Sequence, residues 1–431
     1  MCAIATRFDL EVKQMDAVNA YLNATLSEPI SVQPPAGIHA PDGHVLTLRR
    51  ALYGLKESGF LWQKMLQHSL ERLGLRQVPG VECLYTDGTL TFYFFVDDMA
   101  LVYHRRHQQR AEQFTNELMR AFEIKQLGDL SWYLGIKVTR DRATRELWLS
   151  QKAYIEKIAS TFEIQSTTRR ARTPLPASID LSPAVDEASA AITKAYQRRT
   201  GSIAYAALAT RADVAHAASL LSTFNRNPSQ EHMRAADHCL RYLLEHASHA
   251  LHFGPGSEDV AIQLHHDFVG ASDSSFADDR TTRCSSEGMI FHLFGTPVDW
   301  KAARQKTVTK SSTDAELLAL SHAGSELIWW TRLFKYMDLT LKSPILLCDN
   351  QQTLRIVTSN AARAKTALRH VDIHQCWLRQ EAARGTIKCE WIETSKMPAD
   401  GLTKILGPRQ HTTFLRQLSL VETEHENEDE E

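Results

Sequence analysis

The sequence predicts an α/β chain of the mixed, α+β kind, and three observations predict it. Short apolar strands interleave with amphipathic helices in residues 1–165, and do so again in residues 261–420. Between them a Pro- and Ser-rich linker leads into an Ala-rich helical segment, so that 166–260 reads as linker and connection. The length of 431 residues is enough for two or three domains. With 43% hydrophobic and 23% charged residues, the composition is that of an ordinary globular chain.

Each element has a local reason. Residues 10–16 alternate in polarity and read as a strand that ends in Asp16. Residues 17–26 set Ala20, Tyr21 and Leu22 near one helical face, and Gln33-Pro34-Pro35-Ala36-Gly37 is a loop. In 58–73, Leu61, Met65, Leu66, Leu70 and Leu73 recur at helical spacing. Ala111, Phe114, Leu118 and Phe122 do the same in 107–122, and core packing accounts for both stripes. Residues 166–195 form an irregular tether. Helices are expected over 203–221 and 231–244, separated by Asn225-Arg226-Asn227-Pro228. In the last stretch, 289–294, 345–348 and 387–392 read as strands and 313–336 as a long helix. The tail 421–431 is acidic and expected to be disordered.

A net charge of −2 excludes a molecule that is basic as a whole, so contact with nucleic acid would need local patches. Arg49-Arg50, His104-Arg105-Arg106-His107 with Arg110, and Arg169-Arg170 with Arg172 are the candidates, each also readable as a solvated surface run. The seven cysteines are scattered and none are two residues apart, which argues against a cysteine zinc site and a disulfide framework. No stretch approaches the roughly 20 apolar residues that span a bilayer, and the start lacks a signal-peptide pattern. An intracellular protein, cytoplasmic or nuclear and without a membrane partner, is expected.

The chemistry lies in the carboxylates. An apolar strand, Phe92 to Val96, runs directly into Asp97-Asp98, and a second apolar strand, 99–103, leaves at once. Adjacent carboxylates raise each other's pKa unless a cation lies between them, so this tip is a candidate site for a hard divalent metal. Asp16, Asp273, Glu316, Asp349 and Asp400 are further acids at strand ends or helix starts. Two-metal phosphoryl transfer needs carboxylates of this kind, remote in sequence and gathered at neighbouring strand ends, around ions about 3.5–4 Å apart. Each acid also has a structural reading. Asp97-Asp98 would be turn residues, Thr313-x-x-Glu316 a capping box, Asp349-Asn350 a turn, Asp400 a helix cap and Asp273 a surface acid.

Ordered motifs decide between those readings. Gln14-Met15-Asp16 with Ala20-Tyr21-Leu22-Asn23, Gln33-Pro34-Pro35-Ala36-Gly37, Leu52-Tyr53-Gly54-Leu55-Lys56 and Phe95-Val96-Asp97-Asp98 come first. Leu127-Gly128-Asp129, Tyr133-Leu134-Gly135-Ile136, Leu149-Ser150-Gln151, Thr210-Arg211-Ala212-Asp213 and Asn227-Pro228-Ser229 follow. Ser272-Asp273, Asp279-Arg280, Ser312-Thr313-Asp314-Ala315-Glu316, Cys348-Asp349-Asn350 and Ala399-Asp400-Gly401-Leu402-Thr403-Lys404 complete the series. In this order they resemble the reverse transcriptase, connection and ribonuclease H segments of copia-type retrotransposon Pol polyproteins.

The resemblance implies an incomplete right-hand polymerase palm and thumb, a helical connection, and a ribonuclease H-like domain with a mixed five-stranded sheet. It implies that Asp16, Asp97 and Asp98 hold two metals for polymerisation, and that Asp273, Glu316, Asp349 and Asp400 hold two for cleavage of RNA paired with DNA. Magnesium, with manganese as a substitute, is the implied cofactor. Tyr21 would screen out the ribose 2′-hydroxyl, and Gly54 and Lys56 would lie near the nucleotide. RNA template, DNA primer, RNA–DNA hybrid and deoxynucleotides are the implied partners. Two departures count against polymerisation. The family's fingers strands precede the first palm motif and are not in this sequence, which reads as an N-terminal truncation. Lys56-Glu57-Ser58-Gly59-Phe60-Leu61-Trp62 stands where the family usually has Lys-Gln-Ala-Pro-Arg-Ala-Trp. The alternatives are a catalytically inactive element remnant and a nucleic-acid-binding relic that retains only ribonuclease H. His370 and His374, at helical spacing, are as readily structural as functional.

Overall fold

The computed structural model describes residues 1–38, 41, 43–255, 266–342, 344–358 and 369–423, with backbone alone for 369–372. The chain divides into two compact units. One comprises 8–134 with 333–339, and the other 1–7, 135–332 and 340–431.

In the unit built on 8–134, six strands form an antiparallel sheet. Their order is Arg76–Gln77, Leu84–Thr86, Leu90–Phe95, Asp98–Tyr103, Glu11–Ala17 and Ile124–Asp129. The helices Ser58–Arg72 and Gln108–Ala121 cover it, and Met15, Phe92, Met99 and Leu101 share one core with Trp62, Leu66, Leu70, Phe114 and Leu118. Each large apolar side chain removed from water there stabilises the unit by roughly 1.5–3 kcal/mol. Ala111, Phe114, Leu118 and Phe122 are buried as the spacing predicts. The first helix is rotated from expectation. Its core stripe is Trp62, Leu66 and Leu70, and Met65 is 38% exposed. An indole at 62 outweighs the leucine at 61 because it buries more area and has a hydrogen-bond partner inside. Residues 17–26 also differ: a single turn, Ala20–Asn23, is followed by the strand Thr25–Val32, which pairs with Leu46–Arg50.

The other unit holds two sheets. In one, Leu420–Glu422, His249–Phe253, Glu146–Ser150 and Ile136–Asp141 are neighbours in that order. This pairing moves 135–165 away from the expected 1–165 segment, because 136–150 complete a sheet with 249–253. It also makes Leu420–Glu422 a strand where a disordered tail is expected, and 424–431 lie outside the described residues. The tether 166–189 is anchored at its middle and otherwise lies at the surface. Leu175 is 2% exposed, and Glu245 accepts the Thr167 and Ala171 N–H groups. Helix Ala190–Ala209 begins inside the stretch read as linker, capped by Ser189. The helix expected over 203–221 breaks at Thr210–Arg211, where a buried ion pair between Arg211 and Asp213 forces a short 3-10 turn before Ala215–Ser222.

The second sheet is the mixed five-stranded one. Thr296–Arg304, Ser286–Leu293 and Phe268–Ser275 run antiparallel, and Ile345–Cys348 and Lys388–Trp391 add in parallel beside Phe268–Ser275. The long helix Ser312–Tyr336 follows the antiparallel strands, as expected within a residue. Gly288 has a structural reason: a Cβ there would lie 2.7 Å from the Cβ of Leu402, so only glycine lets the 399–403 turn pack against the strand.

Candidate active sites

Three aspartates meet in the first unit. Asp16 and Asp98 are directly opposed in the antiparallel pairing of Glu11–Ala17 with Asp98–Tyr103. Opposed residues project from the same face of a sheet. Val96 and Asp97 form the two-residue turn between Phe95 and Asp98, and the Asp97 carbonyl accepts the Ala17 N–H at 3.0 Å. Val96 has φ 58°, a conformation that costs a non-glycine residue about 1–3 kcal/mol. The buried indole N–H of Trp62 donates to the Val96 carbonyl at 2.8 Å and holds the turn there. Burial first, and then the charges of Asp97 and Asp16, raise the Asp98 carboxyl above its ordinary value. Clustered carboxylates add to the effect of burial in this way.

Tyr21 lies beside this cluster by way of Tyr53, a residue to which the sequence alone gives no role. The two rings are 4.5 Å apart between centroids and tilted by 49°. Burial, followed by the charges of Asp97, Tyr21 and Asp16, pushes the Tyr53 phenol up. Gly54, at φ 100°, and Lys56 lie in the same exposed loop. Ser58 closes that loop: its hydroxyl donates to the Leu52 carbonyl at 2.7 Å and accepts the Leu52 N–H at 3.2 Å. The substitution of serine where the family usually has alanine therefore has a structural role. The basic runs of this unit are partly committed to structure as well. Arg105 pairs with Glu11 at 2.7 Å, and Arg110 pairs with Asp87 at 3.3 Å.

Four acids meet in the second unit. Asp273 lies near the end of the central strand and Asp349 just beyond its parallel neighbour Ile345–Cys348. Glu316 comes from the first turns of Ser312–Tyr336, and Asp400 from the 3-10 turn Asp400–Leu402. Asp273 is 1% and Glu316 6% exposed, which removes the surface reading of Asp273. The capping box is not formed. The Ser311 hydroxyl accepts the Asp314 N–H at 3.1 Å, Thr313 donates to Gln352, and Glu316 reaches across to accept the Ser274 N–H at 3.2 Å.

The charge balance of this site is uneven. The second carboxylate oxygen of Glu316, Oε2, is buried and has no partner among the described residues. Burial, then the charges of Asp273 and Asp349, raise the Glu316 carboxyl. Burial also raises Asp273, opposed by Lys404 and by the Thr403 hydroxyl. The Lys404 ammonium lies 3.3 Å from Asp273 and hydrogen bonds Asp400. Thr403 and Lys404 thus belong to this cluster, and the i, i+4 spacing of Asp400 and Lys404 is the sequence signal for the pair. A set of hard oxygen donors, one of them buried without a partner, fits a divalent cation. His374 hydrogen bonds Ser321 at 2.8 Å, and the side chain of His370 lies outside the described residues.

The fold and the two acid clusters define a class: a palm-like sheet carrying three aspartates, followed by a ribonuclease H-like sheet carrying four carboxylates. The profile of the reverse transcriptase (RNA-dependent DNA polymerase) family matches residues 1–176. A retrovirus-related Pol polyprotein from transposon TNT 1-94 of Nicotiana tabacum is 31% identical over 428 residues, 96% of this chain and 31% of its own length. A transposon Ty5-1 protein of Saccharomyces cerevisiae is 31% identical over 321 residues, 73% of this chain and 100% of its own. A ribonuclease H1 crystallised with an RNA/DNA hybrid aligns with 32% of this chain and 96% of its own at 14% identity, with a TM-score of 0.26. The chain belongs to the copia-type retrotransposon Pol family, and spans about a third of the length of the tobacco polyprotein.

Proposed function

We propose that the chain acts as an RNA-directed DNA polymerase joined to a ribonuclease H, the two activities of a copia-type element. The observation that carries the reading is the opposition of Asp16 to Asp98 with Asp97 in the adjoining turn, because nothing in sheet packing requires three acids at one end of neighbouring interior strands. Divalent metals serve both enzyme kinds generally; here magnesium, or manganese in its place, would be held by Asp16, Asp97 and Asp98 and separately by Asp273, Glu316, Asp349 and Asp400. When bound, such ions neutralise charge on the attacking and leaving oxygens of an in-line displacement. Tyr21, braced by Tyr53, would close the space that a ribose 2′-hydroxyl needs. Gly54 and Lys56 would border the nucleotide.

In the second cluster, Glu316 and Asp273 would orient the hydrolytic centre, and Lys404 would balance the charge of Asp273 and Asp400. Recognition of an RNA template, a DNA primer and their hybrid would rest on groove shape, phosphates and 2′-hydroxyls. Seven cysteines, all free thiols, support a reducing cytoplasmic or nuclear compartment.

Primer extension on an RNA template and cleavage of a labelled hybrid, run side by side with magnesium, test the reading. Extension lost in Asp97→Asn and cleavage lost in Asp349→Asn are expected. Cleavage without extension would leave a ribonuclease H on an inactive palm, and the absence of both would leave an element remnant.

A further inference from the structure

Away from both acid clusters, two imidazoles and a carboxylate converge where helix Gln230–Glu245 ends. Ligand atoms of His246, His249 and Glu422 all lie within 4.8 Å of one another. The local fold brings them together by two separate routes. A turn in which the His249 N–H donates to the His246 carbonyl at 3.2 Å sets the two rings 5.2 Å apart between centroids, at 74°. His249 and Glu422 are directly opposed in the pairing of His249–Phe253 with Leu420–Glu422, so their side chains share a face. Thr423 fastens that strand end, donating through both its N–H and its hydroxyl to the Ser248 carbonyl at 3.1 Å.

The state of the ring nitrogens makes the cluster more than a coincidence. His246 Nε2 faces the Ala171 carbonyl at 2.9 Å and must donate to it, which leaves Nδ1 as a bare lone pair. A histidine fixed in this way, with one nitrogen donating to a backbone carbonyl, presents the other as a metal ligand. Nδ1 of His246 and Nδ1 of His249 are both buried, and neither has a hydrogen-bond partner among the described residues. His249 is itself 7% exposed. Two buried ring nitrogens without partners, in rings 5.2 Å apart between centroids, are costly unless a ligand satisfies them. The Arg211 charge reaches His249, but Arg211 bonds to neither ring nitrogen. Its guanidinium is taken up by Asp213 in a doubly hydrogen-bonded pair and by the His246 carbonyl.

We propose that His246, His249 and Glu422 bind a divalent transition ion of the zinc type, with water in the fourth position. Two imidazoles and one glutamate are a zinc donor set, with bonds of about 2.0–2.2 Å. Glu422 is exposed and can swing the short distance needed, and its exposure gives the ion its way in. The ion would join the end of Gln230–Glu245 to the strands His249–Phe253 and Leu420–Glu422. It would tie these elements together independently of the carboxylate site in the same unit, with the water position of a three-ligand site left open.

The full chain titrated with Zn2+ alone, and with Co2+ as a spectroscopic stand-in, tests this. One Co2+ per chain with the intense visible absorption of a four-coordinate site of mixed nitrogen and oxygen ligands is expected, displaced by one Zn2+, above the weak absorption of any six-coordinate Co2+ in the carboxylate clusters. Glu422→Gln, at an exposed position, should fold normally and weaken zinc by roughly tenfold or more. His249→Asn should abolish the Co2+ band, and zinc should raise the Tm of the wild type but not of either variant. Asp349→Asn should leave the Co2+ band unchanged. Absence of the band, equal zinc affinity in wild type and Glu422→Gln, or loss of the band in Asp349→Asn would each overturn the proposal.

Discussion

Asp16 and Asp98 are Cα partners across two adjacent antiparallel strands, and Asp97 lies in the turn that joins Asp98 to the strand on its other side. Burial and the two neighbouring charges raise Asp98. The neighbouring charges add a repulsion that a bound cation or a proton would relieve.

Asp98→Asn removes one of those charges. Primer extension should fall by roughly 10²–10³-fold, as when a group that stabilises transition-state charge is lost. The Tm in EDTA should hold or rise, because the unpaired repulsion is gone. A fall in Tm would show that Asp98 serves the fold.

Trp62→Phe keeps the ring in the core and removes the N–H that holds the Val96 carbonyl. A loss of about 1–3 kcal/mol is expected, the cost of a buried acceptor left unpaired, measured by urea unfolding. Since Val96 is at φ 58°, the turn should also loosen, and extension should fall while hybrid cleavage is unchanged.

Tyr53→Ala removes the ring against which Tyr21 rests. Discrimination between deoxynucleotides and ribonucleotides should drop by roughly tenfold, the scale of a cavity opened in a selective pocket. Competition between the two nucleotide kinds in primer extension measures it. Unchanged selectivity would mean that Tyr21 holds its position alone.

Glu316 gives a pH dependence. Burial, and then Asp273 and Asp349, push its carboxyl up to about 8 from 4.5. A raised value means that the native state binds the proton more tightly than the unfolded chain. The stability it contributes is present below pH 4.5 and is lost as the pH rises through about 8. The Tm measured in EDTA should fall across that window, by roughly 2–4 °C for each 1 kcal/mol lost. Magnesium should flatten the curve, and so should Glu316→Gln.

Gly288→Ala places a methyl group where Leu402, Thr403 and the Ala399 carbonyl already pack. Overpacking should cost about 1–3 kcal/mol and displace the turn that carries Asp400. Hybrid cleavage should fall without loss of extension.

The sequence by itself determined the ancestry, the helical stripe of Ala111, Phe114, Leu118 and Phe122, and which seven acids to look for. Those signals are local: a motif is read in chain order, and a helix face repeats within a few residues. Tertiary structure decided what local signals do not encode. Only strand register sets Asp16 against Asp98, since a slip of one residue would turn a carboxylate to the other face. Burial of an indole with its own hydrogen-bond partner chose Trp62 over Leu61 for the core. The reach of Glu316 to Ser274 took it from a helix cap into the carboxylate cluster, and Lys404 became the counter-charge of an acid 131 positions earlier in the chain. His246, His249 and Glu422 carry no motif at all. A pairing between strands that are remote in sequence brings them together, and that pairing is settled by the packing of the whole sheet.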